Sequence, residues 1–156
     1  MKIRDLMIRE VITVDSDYTV KHTAEIMNRC GIGCVVILEN KRVTGILTER
    51  DILKRIVAVA RDPKETFVRE IMSKPVIVVG PDVTLEDTVR LMFKHKIKKL
   101  PVMERHLGKE ELVGLVTLTD IARMQTDLIE KLRKLFSQER EAPPKSMEKV
   151  MNYYIV

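Results

Sequence analysis

Gly45-Ile46-Leu47-Thr48-Glu49-Arg50-Asp51-Ile52 returns 69 residues later as Gly114-Leu115-Val116-Thr117-Leu118-Thr119-Asp120-Ile121. A near-copy at that spacing in a chain of 156 residues points to one supersecondary unit used twice. Toward the N-terminus the register shifts to 65, so that Arg4-Asp5-Leu6-Met7 meets Arg69-Glu70-Ile71-Met72, Val14 meets Val79 and Met27 meets Met92. The difference between the two offsets falls in ERHLGKEE, residues 104–111. That stretch is polar and holds a glycine, the composition of a hairpin loop that absorbs added length.

Both copies predict the same order of elements. An extended piece, VITV at 11–14 and VIVV at 76–79, leads into a helix. Val20, Ala24, Met27 and Cys30 share one face of the first helix, and Leu85, Val89 and Met92 one face of the second. Thr19 and Thr84 stand where an N-cap belongs, Asp87 completes a capping-box-like pair with Thr84, and Gly31 is placed to end the first helix. Two apolar strands follow in each copy, over 33–38 and 42–47 and then over 99–103 and 111–116, and a closing helix begins near Asp51 and near Asp120. The fold class is therefore α/β: two β-α-β-β-α repeats packed sheet to sheet with pseudo-twofold symmetry, plus a C-terminal helix and tail. Residues 1–62 form the first repeat, 63–125 the second, and 126–156 the extension. Residues 121–140 continue as a long charged helix on which Ile121, Met124, Leu128, Leu132, Leu135 and Phe136 make an apolar stripe suited to packing on the module or on a second copy of it. Pro143-Pro144 ends it, and an apolar tail follows.

Composition narrows the function. No apolar run approaches the roughly 18 residues of a membrane span and no signal-peptide core opens the chain, so a cytoplasmic protein is expected. The net charge of +5 favours an anionic partner, and a phosphate-bearing small molecule satisfies it as well as nucleic acid does. With no Trp, three Phe and three Tyr, there is little material for a base-stacking platform. Cys30 and Cys34 make a C-x-x-x-C pair with no second pair nearby, which is short of a zinc site, and they read as small buried hydrophobes. His22, His95 and His106 adjoin no nucleophile motif, and Gly31-x-Gly33 lacks the third glycine of a dinucleotide fingerprint. No enzyme is expected, and neither a metal nor a cofactor.

The paired heptads Gly-h-h-Thr-x-x-Asp, GILTERD and GLVTLTD, carry the chemistry that remains. A Thr hydroxyl and free N–H groups at a helix start suit a phosphate, and a carboxylate three residues on can accept two hydrogen bonds from the vicinal diol of a ribose. The same spacing is also a capping arrangement that needs no ligand. Local sequence leaves both readings open.

RDLM/REIM, the Thr-capped helices, KIKKLPV at 96–102 and the two heptads together resemble a tandem cystathionine-β-synthase (CBS) domain, often called a Bateman module, from about residue 3 to about residue 125. The resemblance implies a regulatory module that binds AMP, ADP or ATP, acts on a partner in trans, and pairs into a homodimer. It carries ribose and phosphate contacts onto Thr48 with Asp51 and Thr117 with Asp120. It carries adenine contacts onto Ile12, Thr13 and Val14 with Gly33 and Cys34, and onto Ile77, Val78 and Val79 with Lys98, Lys99, Leu100 and Pro101. In the first heptad Arg50 favours a phosphate and Glu49 opposes one. Lys98 and Lys99 stand where the first copy has Gly33 and Cys34, so the second pocket is expected to attract phosphate more strongly. S-adenosylmethionine, with its positive sulfonium, is electrostatically the poorer ligand beside that pair. An assembly module with unoccupied pockets and a nucleic-acid-binding protein are the alternatives.

Overall fold

The computed structural model of the chain describes residues 1–124 and Lys134. The chain divides after Leu118, and the architecture that follows is that of the first unit. Within it, β1 (Thr13–Asp15), α1 (Val20–Cys30), β2 (Cys34–Glu39), β3 (Arg42–Thr48) and α2 (Glu49–Ile52) make the first half. A π-helical turn, Leu53–Val57, continues α2. A short α3 (Val68–Ile71) precedes α4 (Leu85–Lys94), β4 (Lys99–His106), β5 (Lys109–Thr117) and α5 (Leu118–Met124), which runs into the second unit. Leu128, Leu132, Leu135, Phe136, Pro143-Pro144 and the tail lie outside the described residues.

β1, β2 and β3 form one sheet, with β1 parallel and β3 antiparallel to β2, and β4 and β5 form a second antiparallel sheet. The CVVIL run at 34–38 is apolar throughout because β2 is covered on both faces. Val35 and Ile37 pack with Val20, Met27, Leu47 and Ile56, while Cys34 and Val36 face Leu115 of the other sheet. Each such side chain contributes about 1.5–3 kcal/mol by leaving water. Thr19 and Thr84 cap α1 and α4 as expected, accepting from His22 N at 3.2 Å and Asp87 N at 3.1 Å. Gly31 ends α1 in the left-handed region, φ 63°. The buried face of α1 is Val20, Thr23 and Met27, and Cys30 is exposed, against the expectation that both cysteines are buried. Thr23 satisfies its hydroxyl by donating to Thr19 O at 3.0 Å and takes an inward position, while Cys30, two turns later, is the last residue of the helix before Gly31.

Two further departures have physical causes. Both hairpins turn on two residues with positive φ, Asn40-Lys41 (50° and 63°) and Leu107-Gly108 (48° and 76°). The added residues of the second copy therefore lengthen β4 and β5, and the loop stays tight. VIVV forms no strand; it makes one bridge, Val79 to Val102. In the first half Val36 N donates to Ile12 O and Ser16 N to Leu38 O. The matching positions in the second half are Pro101 and Pro81, which have no N–H to donate.

The halves exchange their leading segments. Residues 63–69 lie along the first half, with Val20 N donating to Thr66 O and Val68 N to Tyr18 O, both at 2.8 Å. The first residues of the chain lie along the second half, with Ile3 N donating to Val83 O and Leu85 N to Met1 O. Ile46 and Ser73 exchange backbone hydrogen bonds, as do Leu115 and Ile8. The glycines that open the two heptads make room for this crossing. A Cβ on Gly45 would stand 2.2 Å from Met72 Sδ, and one on Gly114 2.6 Å from Met7 Sδ. The Met of each leading segment thus packs on the heptad glycine of the opposite half.

Candidate ligand-binding site

β3 ends at Thr48, whose extended backbone turns the chain into α2. Its hydroxyl oxygen accepts from Asp51 N at 3.3 Å, and Asp51 Oδ2 accepts from Thr48 N at 2.9 Å and from the Thr48 hydroxyl at 3.0 Å. The first heptad is a complete reciprocal capping box. The other carboxylate oxygen, Oδ1, accepts from Ser73 Oγ at 3.0 Å and stands 3.4 Å from Arg55 Nη1. Arg55 is itself anchored to Ile71 O. Asp51 is only 8 % exposed, and its two carboxylate oxygens take three hydrogen bonds and the Arg55 ion pair.

Asp51 and Thr48 sit at one side of a cavity of about 430 Å³. Ile46, Glu49, Arg50, Gly33 and Ser73 complete that side, and Lys96, Ile97, Lys98 and Lys99 come from the turn between α4 and β4. Gly33 O accepts from Glu49 N at 3.2 Å and from Lys99 Nζ at 3.0 Å. A Cβ there would come within 3.1 Å of the Glu49 carboxylate and 3.2 Å of Lys99 Nζ, so glycine keeps the meeting point open. Arg50, Lys96 and Lys98 have no ion-pair partner among the described residues, and Asp51 has Arg55 beside it. With Arg50, Lys96, Lys98 and Lys99 against Glu49 and Asp51, the cavity lining carries a net positive charge, which suits an anion.

Lys96 has φ 54°, a left-handed conformation at the position where the first half has Gly31. A lysine there is disfavoured by roughly 1–2 kcal/mol against a glycine-like backbone, and its side chain lines the cavity.

The expected site residues divide. Thr48, Arg50, Asp51, Gly33, Lys98 and Lys99 come together in this cavity. The Lys pair was expected to strengthen the second heptad; both residues line the cavity of the first. Lys99 pairs with Thr117 across the sheet, but a lysine stem is long enough to reach over to Gly33 of the other half. Val14, Cys34, Val79 and Leu100 are core residues, Pro101 is buried, and Ile12 packs on the core. Thr13 lines a second cavity of about 400 Å³ with Arg9 and Lys41. Ile77 is half-buried and Val78 exposed, and neither lines the cavity of the first heptad. Thr117 ends β5 and is buried, and Asp120 lies in the first turn of α5. Ser73, Lys96 and Ile97 belong to the site and were not anticipated. The one signal for Ser73 was its place directly after the repeated Met of REIM.

The sequence model of the CBS domain matches residues 3–58 and 68–134. The CBS domain-containing protein YhcV of Bacillus subtilis is 35% identical over 120 residues, which cover 77% of this chain and 82% of YhcV. The hexameric CBS-CP12 protein from bloom-forming cyanobacteria superposes with a TM-score of 0.73 at 29% identity, covering 84% of this chain and 74% of that one. The CBS domain pair of protein MJ0100, solved in complex with 5′-methylthioadenosine and S-adenosyl-L-methionine, superposes with a TM-score of 0.68 at 28% identity, over 80% of this chain and 94% of that one.

Proposed function

The chain belongs to the CBS domain family, and on that premise we propose that it is a regulatory module that binds an adenine nucleotide and acts on a partner in trans. Ligand binding, not catalysis, is its activity. The observation that carries the reading is the cavity of the first heptad, where a buried carboxylate and a cluster of cations with no ion-pair partner among the described residues face one space. Asp51 takes the ribose diol, Arg50, Lys96 and Lys98 take the phosphates, and Ile46 with Ile97 supplies apolar surface for the base. Thr117 with Asp120 is the corresponding candidate in the second copy. The MJ0100 pair carries adenosine ligands without phosphates, one of them a sulfonium. Here the surplus of cations favours phosphorylated ligands, with affinity rising from AMP to ATP. Self-association into a homodimer is part of the same proposal.

Thermal unfolding with adenine, adenosine, AMP and ATP tests the reading. AMP and ATP are expected to raise the melting temperature and adenine is not, with about 2.7 kcal/mol of stabilisation at a ligand concentration near 100 times its dissociation constant. No shift with any adenosine ligand, in protein freed of carried-over nucleotide, would leave an assembly module as the better reading.

A further inference from the structure

Asp51 already accepts three hydrogen bonds and faces one ion-pair partner in the protein as it stands. Oδ2 is held by the backbone and hydroxyl of Thr48, two bonds that also close the α2 cap. Oδ1, the other oxygen, is held by Ser73 Oγ at 3.0 Å with Arg55 Nη1 at 3.4 Å. A carboxylate has about four lone-pair sites. Three of these sites hold hydrogen bonds and Arg55 crowds the fourth, so a diol, which brings two donors, has to replace at least one donor. Breaking the Thr48 bonds undoes the helix start, and Arg55 is tied to Ile71 O. Ser73 is the donor that lines the cavity and holds Asp51 by a single bond.

Resting on the nucleotide reading above, we propose that the Ser73 hydroxyl is an internal stand-in for the ribose diol, so that nucleotide binds by displacing Ser73 from Asp51. Ser73 is fixed at the crossing of the two halves, exchanging backbone bonds with Ile46 at 2.9 and 3.1 Å, next to the Met72 that packs on Gly45. Occupancy of the cavity is thus felt by the segment that leads from the first half into the second. The position that matches Ser73 in the first leading segment is Ile8, which pairs with Leu115 in the same way and has no hydroxyl.

Displacement makes a signed prediction. Ser73→Ala removes a bond that exists only in the empty protein, so ATP should bind roughly 2- to 12-fold more tightly, the span of one net hydrogen bond. The ligand-free melting temperature should fall while that of the ATP complex stays put. 2′,3′-Dideoxy-ATP has no diol to compete for Asp51, and its affinity should be the same for wild type and Ser73→Ala. Ser73→Thr keeps the hydroxyl and should restore wild-type ATP affinity. Calorimetric titration of the three proteins with both nucleotides decides it. An equal gain for the dideoxy compound, or ATP affinity that is unchanged or weaker in Ser73→Ala, overturns the stand-in role and leaves nucleotide binding intact. Failure of wild type and Ser73→Ala alike to bind any adenosine ligand overturns both.

Discussion

Lys96 shows how a residue can be chosen against its own backbone. Helix α4 ends as α1 does, but the left-handed position that Gly31 fills in the first half is held by a lysine in the second. Restoring the symmetry with Lys96→Gly is expected to raise the stability of the ligand-free protein by up to about 1 kcal/mol. The same change removes a phosphate donor, and ATP affinity should fall roughly 10-fold or more. Denaturant curves without ligand and a calorimetric titration read the two effects separately; a lysine that is merely a solvated side chain would give the first without the second. At this scale the sequence was informative about residue types and silent about reach. Thr48 and Asp51 were legible as a pair, and they turn out to cap a helix and face a cavity at once. Lys98 and Lys99 were aligned correctly with Gly33 and Cys34, since Leu118 N bonds Lys98 O as Glu49 N bonds Gly33 O. Where their side chains go depends on the opposite half, which no local pattern encodes.

Among the elements, helices and strands were read well where apolar periodicity speaks, and poorly where the backbone decides. Pro81 and Pro101 were visible in the sequence, yet their effect on VIVV needs the knowledge that each stands at a ladder position. The exchange of leading segments left a trace as well, the repeated Met and the repeated heptad Gly, whose meaning lies in their contact across halves. Gly45→Ala is expected to cost about 1–3 kcal/mol, because the new Cβ meets not only the Sδ of Met72 but also its Cβ at 3.0 Å, which cannot swing away. Urea unfolding of Gly45→Ala and of Gly45→Ala with Met72→Ala checks it; partial recovery in the double variant is the signature of the contact. The N-terminal end is tied down by charge in addition. Asp82 accepts from Lys2 at 3.0 Å and from Arg4 at 2.6 Å, and these bonds hold its carboxyl below the usual carboxylate range. A lowered folded value means that this contribution is present above the unfolded carboxylate range and is lost as pH falls through the folded one. All three side chains are well exposed, so the contribution is small and screened by salt. Wild type should be more stable than Asp82→Asn near neutral pH and low salt, and the difference should shrink as pH falls below the ordinary carboxylate range and through the lowered folded value.

For the molecule as a whole, the internal repeat carried the fold: a duplicated β-α-β-β-α pattern whose sheets need each other to cover both faces of β2. Assembly beyond one chain was read from the stripe between Ile121 and Phe136, most of which lies outside the described residues. A different surface now bears on it. Leu53 and Val57 lie one turn apart on the helical run that continues α2 and are 58 % and 64 % exposed, and Val59 just beyond is 58 % exposed. Single exposed apolar side chains are ordinary, but three within seven residues form a patch that water disfavours. The proposed homodimer would place a second copy on it. A twofold axis would bring the same helical face against itself, and an isologous contact of that kind needs no other partner. Light scattering at micromolar concentration is expected to return about twice 18.0 kDa. Replacing Leu53 and Val57 together by Glu should yield a monomer with unchanged helix content, since both positions are exposed and such surface changes shift stability by only about 0.5 kcal/mol. A wild-type mass near 18.0 kDa would remove the homodimer, and a dimer that survives both substitutions would move its interface away from this helix.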